Sequence, residues 1–431
     1  MAHGPRIYNL FPLLAGSVRD WEAQLARIAA MDFDWVYLNP FHYPGFSGSL
    51  YAVKDYYRLH PLFQGRSRQL PEDLLREFVQ QAEAQGLSVM MDLVVNHTAK
   101  DSELVAQHPE WFAHETDGSL RSPFAVDPID PTQRTVWADL AEIDYERPVD
   151  LAGLLAYWRE LVRHYTALGF HGFRCDAAYK VPGEVWSQLI GAARGVNSDT
   201  KFLAETLGCQ PKQVTQLHDA GFDYLFNSAK WWDFHSDWLL EQYEAYRHIA
   251  PSIAFPESHD TERLAAESNG DARVSRQRYL FAAFFSAGVM MPIGFEFGFR
   301  HKLHIVNTRP DDWEEPAFDL SAFVRATNEM KAACPALNEE GPQRRFTAAH
   351  EPMVGLLRSA INGPERVAAL NNSDPLNSHE FPLAALAENI GDTTGNIREI
   401  TPLGAQQPLP SDGRLHFSPL EIRIFHRPLL E

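Results

Sequence analysis

The chain has 431 residues, 45% of them apolar and 22% charged, and a formal charge of −19. That length accommodates one large domain with a sizeable core plus a smaller one, and the apolar fraction excludes a disordered chain. The acidic balance argues against nucleic acid and against an anionic membrane surface as partners.

Ile7 to Phe11 reads as a first strand, followed by a helix over Val18 to Ala30 with Trp21, Leu25 and Ile28 at helical spacing and Ser17 as N-cap. Trp35 to Leu38 is a second strand. A loop from Phe41 to about Leu70 follows, rich in Gly, Pro, Tyr and His, and long enough to suggest a functional segment. A helix over Leu74 to Ala84 is closed by Gly86, and Leu87 to Val95 is a third strand that delivers Asn96 and His97 at its end. From Thr98 to about Pro148 the periodicity disappears, as expected of an inserted subdomain.

A helix over Leu151 to Leu168 leads into Gly172-Phe-Arg-Cys-Asp176, a short buried strand. Helices near Val185 to Ala193, Gln213 to Ala220, Trp238 to Ile249 and Arg276 to Ala287 then alternate with strands at Lys201 to Ala204, Tyr224 to Phe226, Ser252 to Phe255 and Val289 to Gly294. A last helix covers Ser321 to Ala333. Eight strands, each followed by a helix and with no Gly-rich phosphate loop after the first, favour a closed (β/α)8 barrel over an open doubly wound sheet. After about Gln343 short alternating segments separated by turn residues read as an antiparallel β domain. The expected organisation is a barrel over 1–97 and 149–342, an insertion over 98–148, and a C-terminal β-sandwich over 343–431.

The three cysteines, Cys175, Cys209 and Cys334, are too scattered for a disulfide framework or a zinc cluster, and read as small buried thiols of a reducing compartment. The amino-terminal run has too little positive charge and too short an apolar stretch for a secretory signal, and no later stretch spans a membrane. The expected location is cytoplasmic.

In a (β/α)8 barrel the chemistry lies at the carboxyl ends of the strands. Asn96 and His97 fall after strand three, Arg174 and Asp176 on strand four, Glu205 after strand five, and His259 and Asp260 after strand seven. Strand side chains alternate between faces, so Arg174 and Asp176 point the same way. A guanidinium beside a carboxylate favours the ionised form that a carboxylate nucleophile needs. Each position alone could be a helix cap or a structural ion pair. Carboxylates at three strand ends beside two histidines form a consistent catalytic set.

With these motifs in view, Asp92-Leu-Val-Val-Asn-His97, Gly172-Phe-Arg-Cys-Asp-Ala-Ala-Tyr-Lys180, Ala204-Glu-Thr206 and Glu257-Ser-His-Asp260, the chain resembles the α-amylase family of glycoside hydrolases and transglycosidases over about residues 5 to 335. Segments around Tyr51 and from Trp137 to Pro148 are similar to two further family landmarks. The resemblance implies a retaining enzyme with Asp176 as nucleophile, Glu205 as general acid and base, and Asp260 as transition-state stabiliser. It implies that His97 and His259 bind sugar hydroxyls and that Tyr51 stacks on the reacting sugar. Retention requires two carboxyl groups about 5–5.5 Å apart, and burial of Glu205 near other negative charge suits a general acid.

Ala-Ala-Tyr-Lys after the nucleophile departs from the Ala-Ala-Lys-His of many amylases, so Tyr179 and Lys180 mark a changed acceptor side; Lys180 is either a ligand for a charged acceptor or a solvated lysine. Asn96 and Asp139 stand where relatives hold a structural calcium ion, while no cofactor is required. Trp111, Trp137, Trp231 and Trp232 are candidates for outer sugar subsites or for packing. The implied substrate is an α-glucan or malto-oligosaccharide cleaved at α-1,4 links. The main alternative is a glucan transferase, because His108 to Phe112 and Gln213 to Asn227 are similar to the maltosyltransferase branch. A catalytically dead barrel acting as a binding subunit is the alternative from another class.

Overall fold

Eight short apolar runs close into a parallel barrel whose strands neighbour one another in sequence order. They are β1 (Arg6–Asn9), β2 (Trp35–Leu38), β3 (Ser88–Leu93), β4 (Gly172–Cys175), β5 (Lys201–Glu205), β6 (Tyr224–Phe226), β7 (Ser252–Ala254) and β8 (Gly288–Pro292). The structure, a computed structural model, describes residues 4–126, 132–392, 395–403 and 410–428. Among these residues no helix is long and apolar enough to cross a membrane.

The barrel interior is filled by Ile7, Tyr37, Met90, Leu203, Phe226, Ile253 and Met290, one from each of seven strands, packed with Phe255 beyond β7. The remaining strand, β4, sends Arg174 inward: it is in register with Leu203 on one side and with Asp92 on the other. A guanidinium can occupy that layer because its carboxylate partners come from the strand positions around it.

Outside the barrel, helices turn one apolar stripe to the strands. In Val18–Ala30 the buried residues are Val18, Trp21, Leu25 and Ile28, and Ser17 and Asp20 form a capping box at its start. Pro71–Glu83 buries Leu74, Leu75, Phe78, Val79 and Ala82. Leu151–Ala167, which feeds β4, is capped by Asp150, whose Oδ1 accepts from Gly153 N at 2.9 Å.

Several segments differ from the sequence-based expectation. The long loop after β2 contains an antiparallel hairpin, His42–Pro44 with Val53–Leu59, whose register shifts break the alternation that would have revealed it. The helix expected over Gln213 to Ala220 is one turn, Pro211–Thr215. The segment between β3 and β4 carries two small hairpins, His97–Ala99 with Leu140–Glu142 and Phe124–Val126 with Arg134–Val136; its residues 127–131 lie outside the described ones.

After the barrel, Gln343–Arg345, Met353–Ser359, Arg366–Asn372, Arg398–Glu399 and Ile422–Arg427 form a five-stranded antiparallel sheet, and His379–Pro382 pairs with Arg414–Phe417. A helix, Leu383–Ile390, covers the core between them, a feature the strand-like reading of this region missed. The sheet is tied to the barrel by Arg358 Nη1, which donates to Phe284 O at 2.7 Å, and by Gln277 Nε2, which donates to Asn371 Oδ1 at 2.6 Å.

Candidate active site

The carboxyl ends of β3, β4 and β5 meet at one guanidinium. Arg174 Nη1 donates to Asp92 Oδ1 at 2.8 Å, to Asp92 Oδ2 at 3.0 Å and to Asp176 Oδ1 at 2.9 Å, while Nη2 is paired with Glu205. Three carboxylates thus share one buried cation, and the two that open onto the cleft, Asp176 and Glu205, are anchored on its two terminal nitrogens. This follows from the strand pleat for Arg174 and Asp176, and from strand register for Asp92.

Asp176 is held from a second side by Asn96, whose Nδ2 donates to Asp176 Oδ2 at 3.1 Å and to its backbone oxygen at 3.0 Å. Glu205 Oε2 accepts from Ala177 N at 2.8 Å. Burial pushes the Glu205 carboxyl up to about 7; Arg174 opposes the rise, and Asp176 and Asp260 add to it. A carboxylic acid at that value holds its proton for a substantial fraction of the time at neutral pH.

Asp260 is 51% exposed at its side chain, and its Oδ2 lies 3.1 Å from His259 Nε2. Desolvation by the protein around the cleft works against its ionisation, yet the neighbouring His259 charge and hydrogen bond hold it at about 2. His259 moves up from its ordinary value because the pull of Asp260 exceeds the effect of burial. Burial pushes His97 down from its ordinary value. Its Nε2 donates to Tyr51 O at 3.2 Å.

The Tyr51 ring lies parallel to that of His259, with centroids 5.6 Å apart and planes within 5°. Its hydroxyl contacts Asp92 Oδ2 at 2.6 Å and His259 Nε2 at 2.7 Å, and accepts from Asn39 Nδ2 at 3.0 Å. Tyr37 adds a further donor, 2.7 Å from Asp92 Oδ2. The floor of the site is therefore one hydrogen-bonded network, in which His259 Nδ1 is left buried without a partner.

Tyr51, His97, Trp137, Asp139, Asp176, Glu205 and Asp260 line a single cleft of about 440 Å³. Arg174 and His259 lie beneath it. Lys180 is not on its wall: the ammonium donates to Phe124 O and lies 5.6 Å from the Phe124 ring and 5.2 Å from that of Trp137. Of the other tryptophans, Trp111 is buried against His108 with its indole on Asp150, Trp232 packs on Phe281 in the core, and Trp231 is exposed away from the cleft. These three are packing or surface residues.

Of the pair suggested for calcium, Asn96 directs its amide nitrogen at Asp176 and its amide oxygen at His97, and Asp139 faces the cleft. Sequence reasoning passed over Tyr37 and Asn39, although Asn39 ends the second apolar run in an Asn-Pro pair. It also passed over Leu207 and His304 to Val306, which reach the cleft from loops without any periodic signal.

Comparison with known proteins gives a consistent picture. A family model described as the glucanotransferase domain of glycogen debranching enzyme matches residues 6–128. The α-1,4-glucan:maltose-1-phosphate maltosyltransferase of Burkholderia pseudomallei is 28% identical over 406 residues, covering 91% of this chain and 35% of that protein. The protein of the same name from Myxococcus xanthus is 25% identical over 435 residues, covering 91% of this chain and 63% of that protein. The chain thus spans about a third of one relative and under two thirds of the other.

Among solved structures, an α-amylase from Lactobacillus plantarum superimposes with a TM-score of 0.77 at 20% identity over 98% of this chain and 99% of that one. A maltogenic α-amylase from Thermotoga neapolitana gives 0.71 at 21% identity over 98% and 96%. Those similarities establish the fold. The chain thus has the fold of the α-amylases and is similar in sequence, over 91% of its length, to the two maltosyltransferases.

Proposed function

We propose that the protein is a retaining enzyme acting on α-1,4-linked glucans. The observation that carries this reading is the attachment of Asp176 and Glu205 to the two ends of one guanidinium, one accepting from Nη1 at 2.9 Å and the other paired with Nη2. That arrangement suits the short carboxyl separation of retaining glycosidases, about 5–5.5 Å.

In this reading Asp176 attacks the anomeric carbon and forms a glycosyl ester as the glycosidic C–O bond breaks. The leaving oxygen takes its proton from Glu205. The resulting Glu205 carboxylate then removes a proton from the incoming hydroxyl, which displaces Asp176 and restores both groups. Asp260, held ionised by His259, faces the positive charge that builds at the ring. Tyr51 supplies the platform for the reacting sugar, His97 is a hydroxyl partner on the cleft wall, and His259 acts from beneath through Asp260 and Tyr51.

Hydrolysis and transfer share this intermediate, and the acceptor that reaches it decides between them. The transfer reading is favoured by the relatives, which are named as maltosyltransferases. Chromatography of products from malto-oligosaccharides with and without added maltose separates the two: chain-lengthened products that depend on maltose indicate transfer, and reducing sugar alone indicates hydrolysis. The reading as a whole is tested by Asp176→Asn on a chromogenic α-maltoside. Loss of turnover is expected, and equal rates would remove Asp176 from its assigned role.

A further inference from the structure

We propose that Cys334, Glu365 and His426 form a binding site for one zinc ion, which clips the last helix of the barrel to the C-terminal sheet. None of the three lines the cleft, so the site is independent of the reading above. The cysteines are scattered in the sequence, but the fold brings one of them against a carboxylate and an imidazole from other elements. Cys334 Sγ lies 3.7 Å from Glu365 Oε1, His426 Nε2 lies 2.8 Å from the same oxygen, and the three ligand atoms all fall within 4.8 Å of one another.

Strand alternation explains why they meet. Along Ile422–Arg427, Ile422 and Ile424 belong to the core shared with the barrel and Phe425 to the core on the other face of the sheet, so His426 turns toward the barrel. Val367, paired with His426 across the neighbouring strand, packs in the barrel-side core as well. Glu365 precedes it by two residues and faces the same way. Cys334 comes from the barrel as the C-cap of the helix Ser321–Ala333: its N–H donates to Lys331 O at 3.2 Å, and its carbonyl accepts from Leu337 N at 3.0 Å and from Asn338 Nδ2 at 2.9 Å. Two ligands thus sit on a sheet and the third on a fixed helix end.

Thiolate, imidazole and carboxylate are the ligand types that zinc takes, at about 2.0–2.3 Å. A tetrahedral ion with those bond lengths holds its ligand atoms about 3.3–3.8 Å apart, so side-chain shifts of about 1 Å or less close the site. Burial supplies the reason for a cation. Glu365 is 5% exposed and Cys334 2%, and a buried carboxylate needs a counter-charge. Among the described residues its ion-pair partner is the His426 ring, which is charged only when protonated. Lys331, nearly one turn earlier on the helix, gives its ammonium to the carbonyl oxygens of Ala283, Ser286 and Leu337 instead.

A divalent ion facing one carboxylate and one thiolate leaves the site neutral. Binding displaces one proton, from the Cys334 thiol to solvent, and the neutral His426 ring carries its hydrogen on Nδ1 while Nε2 binds the ion. Water takes the fourth position from the side of His426, the most exposed of the three side chains.

The experiment uses the full chain without an affinity tag, stripped with a chelator, desalted and titrated with zinc(II) or cobalt(II). One zinc per chain is expected by elemental mass spectrometry after desalting, cobalt(II) should give a thiolate-to-metal absorption band, and the melting temperature should rise as zinc is added. Cys334→Ser should lose the cobalt band and weaken zinc binding by about 100-fold or more, since residues that only support a ligand already contribute about 10- to 100-fold. His426→Ala, at a partly exposed position, should weaken zinc binding in the same way, and it decides the question if Cys334→Ser does not fold. Glucan cleavage should persist in the folded variants. Absence of the thiolate band from folded wild-type protein would overturn the site. So would equal zinc binding by wild type and the folded variants, which would mean an adventitious ion only.

Discussion

The backbone N–H of Ala177 donates to Glu205 Oε2 at 2.8 Å, from a residue held in the left-handed region at φ 41, ψ 46. The turn that follows Asp176 therefore reaches across to orient Glu205. A non-glycine residue in that region is strained by about 1–2 kcal/mol, and such strain persists where surrounding structure fixes it.

Ala177→Val places a β-branched side chain in this conformation, with an expected loss of about 1–3 kcal/mol of stability. Activity should fall more on a malto-oligosaccharide, which needs a proton from Glu205, than on an aryl maltoside with a good leaving group. Comparing kcat/KM on the two substrates checks this. Equal losses on both would mean that the turn does not act through Glu205.

The position of Glu205 predicts a pH dependence. Its carboxyl lies at about 7 in the folded protein, raised from an ordinary value of 4.5, so the acid form is lost as pH rises through 7. The basic limb of kcat/KM on a malto-oligosaccharide should fall there. The same shift works against stability: between about 4.5 and 7 the folded state binds more protons at this site than the unfolded state, so stability declines as pH rises across that window. Glu205→Gln removes this contribution. Its melting temperature relative to wild type should rise between pH 5 and pH 8, while malto-oligosaccharide cleavage is lost.

Asp92 is buried completely and accepts from Arg174, Tyr37 and Tyr51. Asp92→Asn leaves Arg174 with two of its three carboxylates and strands one acceptor-dependent hydroxyl. Breaking a buried pair of this kind costs about 3–5 kcal/mol, so denaturant unfolding should show a loss near the lower figure together with loss of activity. A stability change within experimental error would mean that the interior cation does not depend on Asp92.

Tyr51→Phe keeps the ring that stacks on His259 and removes the hydroxyl shared by Asp92, His259 and Asn39. Hydrogen bonds to charged groups contribute about 1.5–3 kcal/mol, which converts to an expected fall of about 10- to 100-fold in kcat/KM. Tyr51→Ala should fall further, because the platform is lost as well. Equal rates for Phe and Ala variants would show that the ring does not contact the substrate.

Much of the fold is legible in the sequence, for a physical reason. Parallel barrel strands are buried on both faces and read as short apolar runs, so Trp35–Leu38 and Tyr224–Phe226 are found with their observed bounds. The helix Val18–Ala30 is equally clear because its apolar residues repeat at helical spacing behind a capping box. The hairpin His42–Pro44 with Val53–Leu59 is hidden, since bulges and Gly-Pro-rich chain erase the period.

The candidate site divides in the same way. Asp176, Glu205 and Asp260 are marked by their places at strand ends. The sequence suggests that Arg174 serves Asp176, but not that it also holds Asp92 and Glu205, because that depends on register between three strands. The placement of Lys180 beside the Phe124 and Trp137 rings depends on the segment between β3 and β4, through contacts that no local pattern encodes.

The most direct test of the account is to trap the intermediate. Incubation of the full chain with a 5-fluoro-α-glucosyl or maltosyl fluoride, followed by intact-mass and peptide mass spectrometry, should reveal one added glycosyl unit on the peptide containing Asp176, and none in Asp176→Asn. A trapped sugar on a different carboxylate, or turnover of glucans with no adduct and inverted anomeric configuration in the product, would contradict it.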